Sequence, residues 1–201
     1  MSEFNLKTGD LILFDNGRCN PISYLIKFFT ESEITHTGVI LKDPDFIDPS
    51  LKGYYVWESG WEGKPDPQDG EIKFGVQITP FDEICDNYKQ KKSAIFIRRI
   101  NCPPEYFNAN KLKEIHNTVY DKIYDCFPPD LMQAVLRKDN HPQKTSRFWC
   151  SALVGYIYTQ CQILNNTTDW SILRPSDFTE KGESILHFSN NTFLEDIFQI
   201  Y

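Results

Sequence analysis

The six cysteines of this 201-residue sequence include no CxxC pair, so neither a zinc ribbon nor a thioredoxin-type redox pair is suggested. An HExxH or comparable spacing is also missing, which disfavours a metal-dependent hydrolase built on His36 and acidic residues. No window of 18 apolar residues occurs, and the start, MSEFNLKTGD, lacks a basic segment followed by an apolar run. The expectation is therefore no transmembrane segment, no secretory leader, and a reducing cytoplasmic setting with free thiols. In that setting the N-x-T matches at Asn165, Asn166 and Asn190 are chance matches. Repeats and low-complexity tracts are lacking. A net charge of -7 and a pI near 5.1 argue against nucleic acid or an anionic membrane surface as the main partner.

What is present is enough for one domain over residues 1–201, since 40% of the residues are hydrophobic and the chain is long enough to bury a sizeable core. GDLILFD (9–15), THTGVIL (35–41), YYVWES (54–59), KFGVQIT (73–79) and SAIFIRRI (93–100) read as about five strands. Helical spacing marks ISYLIKFFT (22–30) after Pro21, ANKLKEIHNTVYDKIYD (109–125), and the segment after Cys150. WEGKPDPQDG (61–70) reads as a solvated loop, and FLEDIFQIY as a closing amphipathic stretch. Strands gather in the first half and helices in the second, which favours an α+β fold.

The chemistry centres on RFWCSALVGYIY (147–158). A thiol attacks as thiolate, and both a helix N-terminus and a neighbouring imidazolium favour that form. Thr145 and Ser146 are candidate caps, and Leu153, Val154, Ile157, Tyr158 and Cys161 recur along one helical face, so Cys150 falls in the first turn, beside free backbone N–H groups. The rival reading is a packing cysteine in a core, the commonest fate of a free thiol. Among four histidines, His36 opens a strand whose alternation sets His36, Gly38 and Ile40 on one face, with Gly38 leaving room for another chain or a substrate. His116 borders an apolar helical stripe, while His141 and His187 lie in polar surroundings. In VWESG, Val56 and Glu58 share a face and Trp57 takes the other; antiparallel pairing across 42–53 brings Glu58 to the His36 ring. For His36 and Glu58 the plain alternatives are a hydrogen-bonded edge histidine and a solvated strand-end glutamate.

The ordered set TGDLILF, ITHTGVIL, VWESG, GVQITPFDEI and FWCSALVGYIY resembles the circularly permuted papain-like cysteine hydrolases. These form the branch of the NlpC-related superfamily that includes YiiX-like and poxviral proteins and, more distantly, lecithin:retinol acyltransferase-like enzymes. The resemblance covers roughly residues 6–160. It implies an antiparallel sheet packed on helices, a nucleophile Cys150 at a helix N-terminus, a base His36 and an orienting Glu58. ILRPSDF (172–178) also resembles the stretch that follows the nucleophile helix in that family, packing back near the site; the polar insert at 138–146 and the tail beyond 180 depart from the family pattern, and 161–201 reads as a C-terminal packing segment.

The expected activity is a thiol hydrolase of peptidase or amidase type working through an acyl-enzyme, with no metal or organic cofactor. The substrate is a peptide, amide or lipid-like acyl carbonyl. Alternatives are a lipid thioesterase or acyltransferase, and a non-catalytic scaffold protein, packaged in a virion if the chain is viral. DCFPPDLMQAVL (125–136) is an apolar lip for an acyl chain or, more simply, a packing helix capped by Asp130. Trp57, Trp61, Phe148 and Trp149 read as core or cleft wall rather than a cofactor platform. Oligomeric state and the role of the polar insert at 138–146 are not encoded in any motif.

Overall fold

The computed structural model describes residues 5–15, 32–91, 93–125, 145–189 and 191–201. The helix expected at 22–30, Cys19, Cys126, residues 126–136 of the apolar lip, most of the 138–146 insert, His141 and Asn190 lie outside the described residues.

Five runs rich in β-branched and aromatic residues form the body of one sheet. They are β1 (Leu11–Asp15), β2 (His36–Lys42), β3 (Tyr54–Gly60), β4 (Gly75–Pro80) and β5 (Ala94–Arg98). The sheet has eight strands rather than about five, because three two-residue strands extend it: β7 (Ile123–Tyr124), β8 (Arg147–Phe148) and β10 (Phe198–Gln199). The order is β10-β5-β1-β2-β3-β4-β7-β8, and β6 (Ile100–Asn101) pairs separately with β9 (Phe193–Leu194). All pairings are antiparallel except β7 with β8. Three α-helices are found among the described residues: α1 (Phe81–Lys91), α2 (Ala109–Val119) and α3 (Cys150–Gln160). The result is a mixed α+β fold. Among the described residues, no helix is long and apolar enough to cross a membrane.

Strand alternation divides the core in two. Leu11, Leu13, Val39, Leu41, Trp57, Val76 and Ile78 face one way and pack with Leu153, Val154 and Ile157 of α3 and Leu112, Ile115 and Val119 of α2. Ile12, Phe14, Ile40 and Val56 face the other way and pack under Phe81, Ile84, Cys85 and Tyr88 of α1. The sheet is thus covered on both faces, which explains why its central strands read as continuous apolar runs.

Three local expectations change. The helix begun at Ala109 stops at Val119, because Asp121 takes a left-handed conformation (φ 58°) and Ile123 joins β7. Thr145 and Ser146 do not cap α3; the N-cap is Trp149, with no side-chain cap bond. The loop at 61–70 has a buried organiser, since Asp66 is 1% exposed and accepts from the Gln68 amide nitrogens. The tail contributes β9 and β10, held by the buried Arg98 guanidinium, which donates to the carbonyls of Phe178, Leu194 and Glu195 and to the Glu183 carboxylate.

Candidate active site

His36 is the first residue of β2, and the Thr35 N–H to Phe14 carbonyl bond (2.9 Å) carries the pairing of β1 past the strand end. Alternation sends the His36 ring to the α1 face, where Phe14 lies across from it with ring centroids 5.3 Å apart. Glu58 follows from β3 on the same face. Its Oε2 lies 2.6 Å from His36 Nε2, and its Oε1 accepts from Thr79 Oγ1 at 2.9 Å. Glu58 is fully buried, so two partners matter: a buried carboxylate without them is costly.

Glycine makes this approach possible. A Cβ on Gly60 would sit 3.2 Å from His36 Cε1 and 3.6 Å from Nε2. Gly38 does not open space for a substrate; a Cβ there would meet Val56 Cγ1 at 2.7 Å and Glu58 Cβ at 3.3 Å. Its missing side chain is filled by the neighbouring strand.

Cys150 reaches the same imidazole from α3. Cys150 is near enough to His36 for its thiol, like the Glu58 carboxylate, to favour the charged ring; with Nε2 taken by the carboxylate, Nδ1 is the nitrogen left to face sulfur. Phe148 is pinned by its carbonyl, which accepts from Ser59 Oγ (2.7 Å) and Asp125 N (3.1 Å). Trp149 Nε1 (3.2 Å) and Ser151 Oγ (2.7 Å) both donate to the Leu173 carbonyl. The residues around Cys150 are therefore fixed to the sheet on one side and to the 172–178 stretch on the other.

Burial pushes Cys85 and Cys161 up to about 12 and raises Cys102, so these hold their protons. At His36, burial opposes the charged ring, but Cys150 and Glu58 together outweigh it and hold the imidazole well above its ordinary value. Cys150 is 2% exposed and the His36 side chain 13%. Beside them Glu62 is pushed up to about 7, first by burial and then by the Glu58 charge, against His36, Lys91 and Lys64.

The structure thus brings Cys150, His36 and Glu58 together. It keeps His116 apart on α2, against Gln68 (2.7 Å), and leaves His187 exposed. Sequence reasoning missed Ser59, Gly60, Glu62 and Thr79; period-two alternation in VWESG carried the signal for Gly60, while Thr79 requires the β3–β4 register. Among the described residues no group of three or more His, Cys, Asp or Glu side chains is placed to hold a metal ion.

The fold is YiiX-like. A solved structure described as the metalloprotein YiiX from Escherichia coli O157:H7, DUF1105, is similar at 17% identity with a TM-score of 0.51, over 97% of this chain and 96% of that one. No family model and no curated protein matches the sequence.

Proposed function

We propose that this protein is a thiol hydrolase of the permuted papain-like type, acting on an amide, peptide or ester carbonyl through Cys150, His36 and Glu58. The observation that carries the reading is the buried Glu58 carboxylate 2.6 Å from His36 Nε2, on a ring whose charged form Cys150 also favours. His36 Nδ1 takes the thiol proton as the sulfur attacks the carbonyl carbon, and returns it to the leaving group as the tetrahedral intermediate collapses to a thioester. Water, deprotonated by the same imidazole, then releases the acid and regenerates the thiol. Glu58 keeps the ring in one tautomer and favours the imidazolium. The first-turn N–H groups of α3, which lack a side-chain cap, supply donors for the oxyanion.

Labelling with iodoacetamide near neutral pH, followed by peptide mapping, tests the reading. Cys150 is expected to react much faster than the other five cysteines, label at that site to vanish in Cys150→Ala, and its rate to fall about 100-fold or more in His36→Ala. Even labelling of several cysteines, or an unreactive Cys150, would overturn it. Under the same variants, hydrolysis of p-nitrophenyl esters set against small peptide amides separates ester from peptidase chemistry.

A further inference from the structure

Glu58, Ser59 and Gly60 close strand β3, and alternation gives them different neighbours. Glu58 and Gly60 lie on the His36 face: the carboxylate binds Nε2 at 2.6 Å, and the bare Gly60 backbone lies where a Cβ would be 3.2 Å from the ring. Ser59 points to the opposite face, is fully buried, and donates at 2.7 Å to the Phe148 carbonyl, two residues ahead of Cys150.

We propose that Ser59 is a positioning residue that sets the Cys150 sulfur against His36, by tying the loop entering α3 to the strand that carries the orienting carboxylate. The proposal rests on the thiol reading above. Its physical basis is the shortness of the chain of constraints. From Glu58 the path to the imidazole is one hydrogen bond; from the adjacent residue the path to the nucleophile loop is one hydrogen bond and two peptide units. A displacement of β3 therefore carries both partners of His36 with it. The remaining anchor on the Phe148 carbonyl, Asp125 N at 3.1 Å, comes from the residue after the two-residue strand β7. That strand joins the main sheet through one register pair, Gly75 with Ile123, and the flanking bonds from Val76 N to the Lys122 carbonyl and from Tyr124 N to the Phe74 carbonyl; without Ser59 the sheet-side hold on the Phe148 carbonyl passes through that short edge alone, while Trp149 and Ser151 still bind the Leu173 carbonyl on the other side. Reacting groups held loosely lose rate steeply, about 100-fold for an error near 1 Å.

Ser59→Ala removes the donor, and Ser59→Cys keeps the side chain's shape with a much weaker donor, in case lost volume unsettles the fold. Thr192→Ala, which removes a buried hydroxyl-to-carbonyl bond of 2.9 Å to Ile163 in the tail, is the structural control. For the folded Ser59 variants we expect Cys150 alkylation to slow about 10-fold or more, with Thr192→Ala within about twofold of the parent. If the parent hydrolyses p-nitrophenyl acetate, kcat per folded molecule, with the folded fraction fixed by circular dichroism, falls at unchanged KM, whereas a general loss of stability lowers the folded fraction and leaves kcat per folded molecule unmoved. Folded Ser59→Ala or Ser59→Cys protein that alkylates at Cys150 within twofold of the parent overturns the proposal. A parent with no selective Cys150 labelling overturns the thiol reading itself, so the two failures are distinct.

Discussion

Among the described residues two imidazoles, His36 and His116, sit partly buried, and their surroundings drive their protons in opposite directions. His36 lies between a carboxylate and a thiol, and despite burial it is held well above its ordinary value. His116, on α2, meets the neutral amide oxygen of Gln68, and burial followed by the Lys73 charge pulls it down to about 4. Around His116 every polar group is engaged in holding a loop: Gln68 also binds Asp66, Lys73 binds both Asp66 and Asp69, and Tyr120 binds Asp69. Around His36 the polar partners converge on one ring that also faces a sulfur. Burial is common to both; the sign of the neighbouring charge decides which ring stays neutral and structural and which is equipped to exchange a proton.

Removing the charge at Glu58 attacks the contrast most directly. The Glu58 carboxylate accepts from Thr79 at one oxygen and from His36 at the other, whereas a glutamine offers one acceptor and one donor, so it keeps both bonds only by moving the ring proton to Nδ1 or by turning the Thr79 hydroxyl into an acceptor. Glu58→Gln is expected to slow Cys150 alkylation about 10- to 100-fold and to lower the His36 titration seen by NMR toward that of an ordinary imidazole. An unmoved titration would mean that the carboxylate does not tune the ring. Thr79→Val keeps the shape and the charge but removes one donor, so the expected loss is smaller, about threefold to tenfold. If Thr79→Val costs as much as Glu58→Gln, the hydroxyl has a role beyond holding the carboxylate.

The features legible in the sequence are those that repeat along a strand or helix. Alternation in VWESG and THTGVIL set Val56 and Glu58 against Trp57, and His36 with Ile40, as the two core clusters display. The face of α3 through Leu153, Val154, Ile157, Tyr158 and Cys161 is buried along its length. Less legible were features set by contact across distant segments. Strands β7 and β8 have two residues each, too few to carry a period; β7 exists because Gly75 and Phe74 offer it partners, and β8 because β7 does. Arg98, within a run that reads as an ordinary strand, is buried because the tail supplies its acceptors. Ser59 and Thr79 acquire their roles only from register, which a single chain does not print. The proposed trio was legible because two of its members sit on adjacent antiparallel strands, where alternation sets them on one face; the third was found by helix pattern and family resemblance.

The smallest expected effect belongs to the other imidazole, and it has the opposite pH sign. A ring whose folded value lies below its unfolded value near 6.5 binds fewer protons when folded, so its contribution is complete above about 6.5 and drains away as pH falls through about 4. His36 runs the other way: its contribution is complete below about 6.5 and is lost as pH climbs through its raised value. His116→Gln should therefore flatten the acid side of the stability curve alone. Denaturant unfolding at pH 7 and at pH 4 is expected to show the parent losing on the order of 1–2 kcal/mol more than the variant, allowing for partial solvent screening of the ring. Cys150 alkylation at pH 7 should stay within about twofold, since the groups binding His116 include none of the site trio. Parallel acid slopes would deny that burial tunes His116, and a slowed Cys150 would show that the loop held by Gln68 and His116 feeds into the site, joining the two regions that the contrast keeps apart.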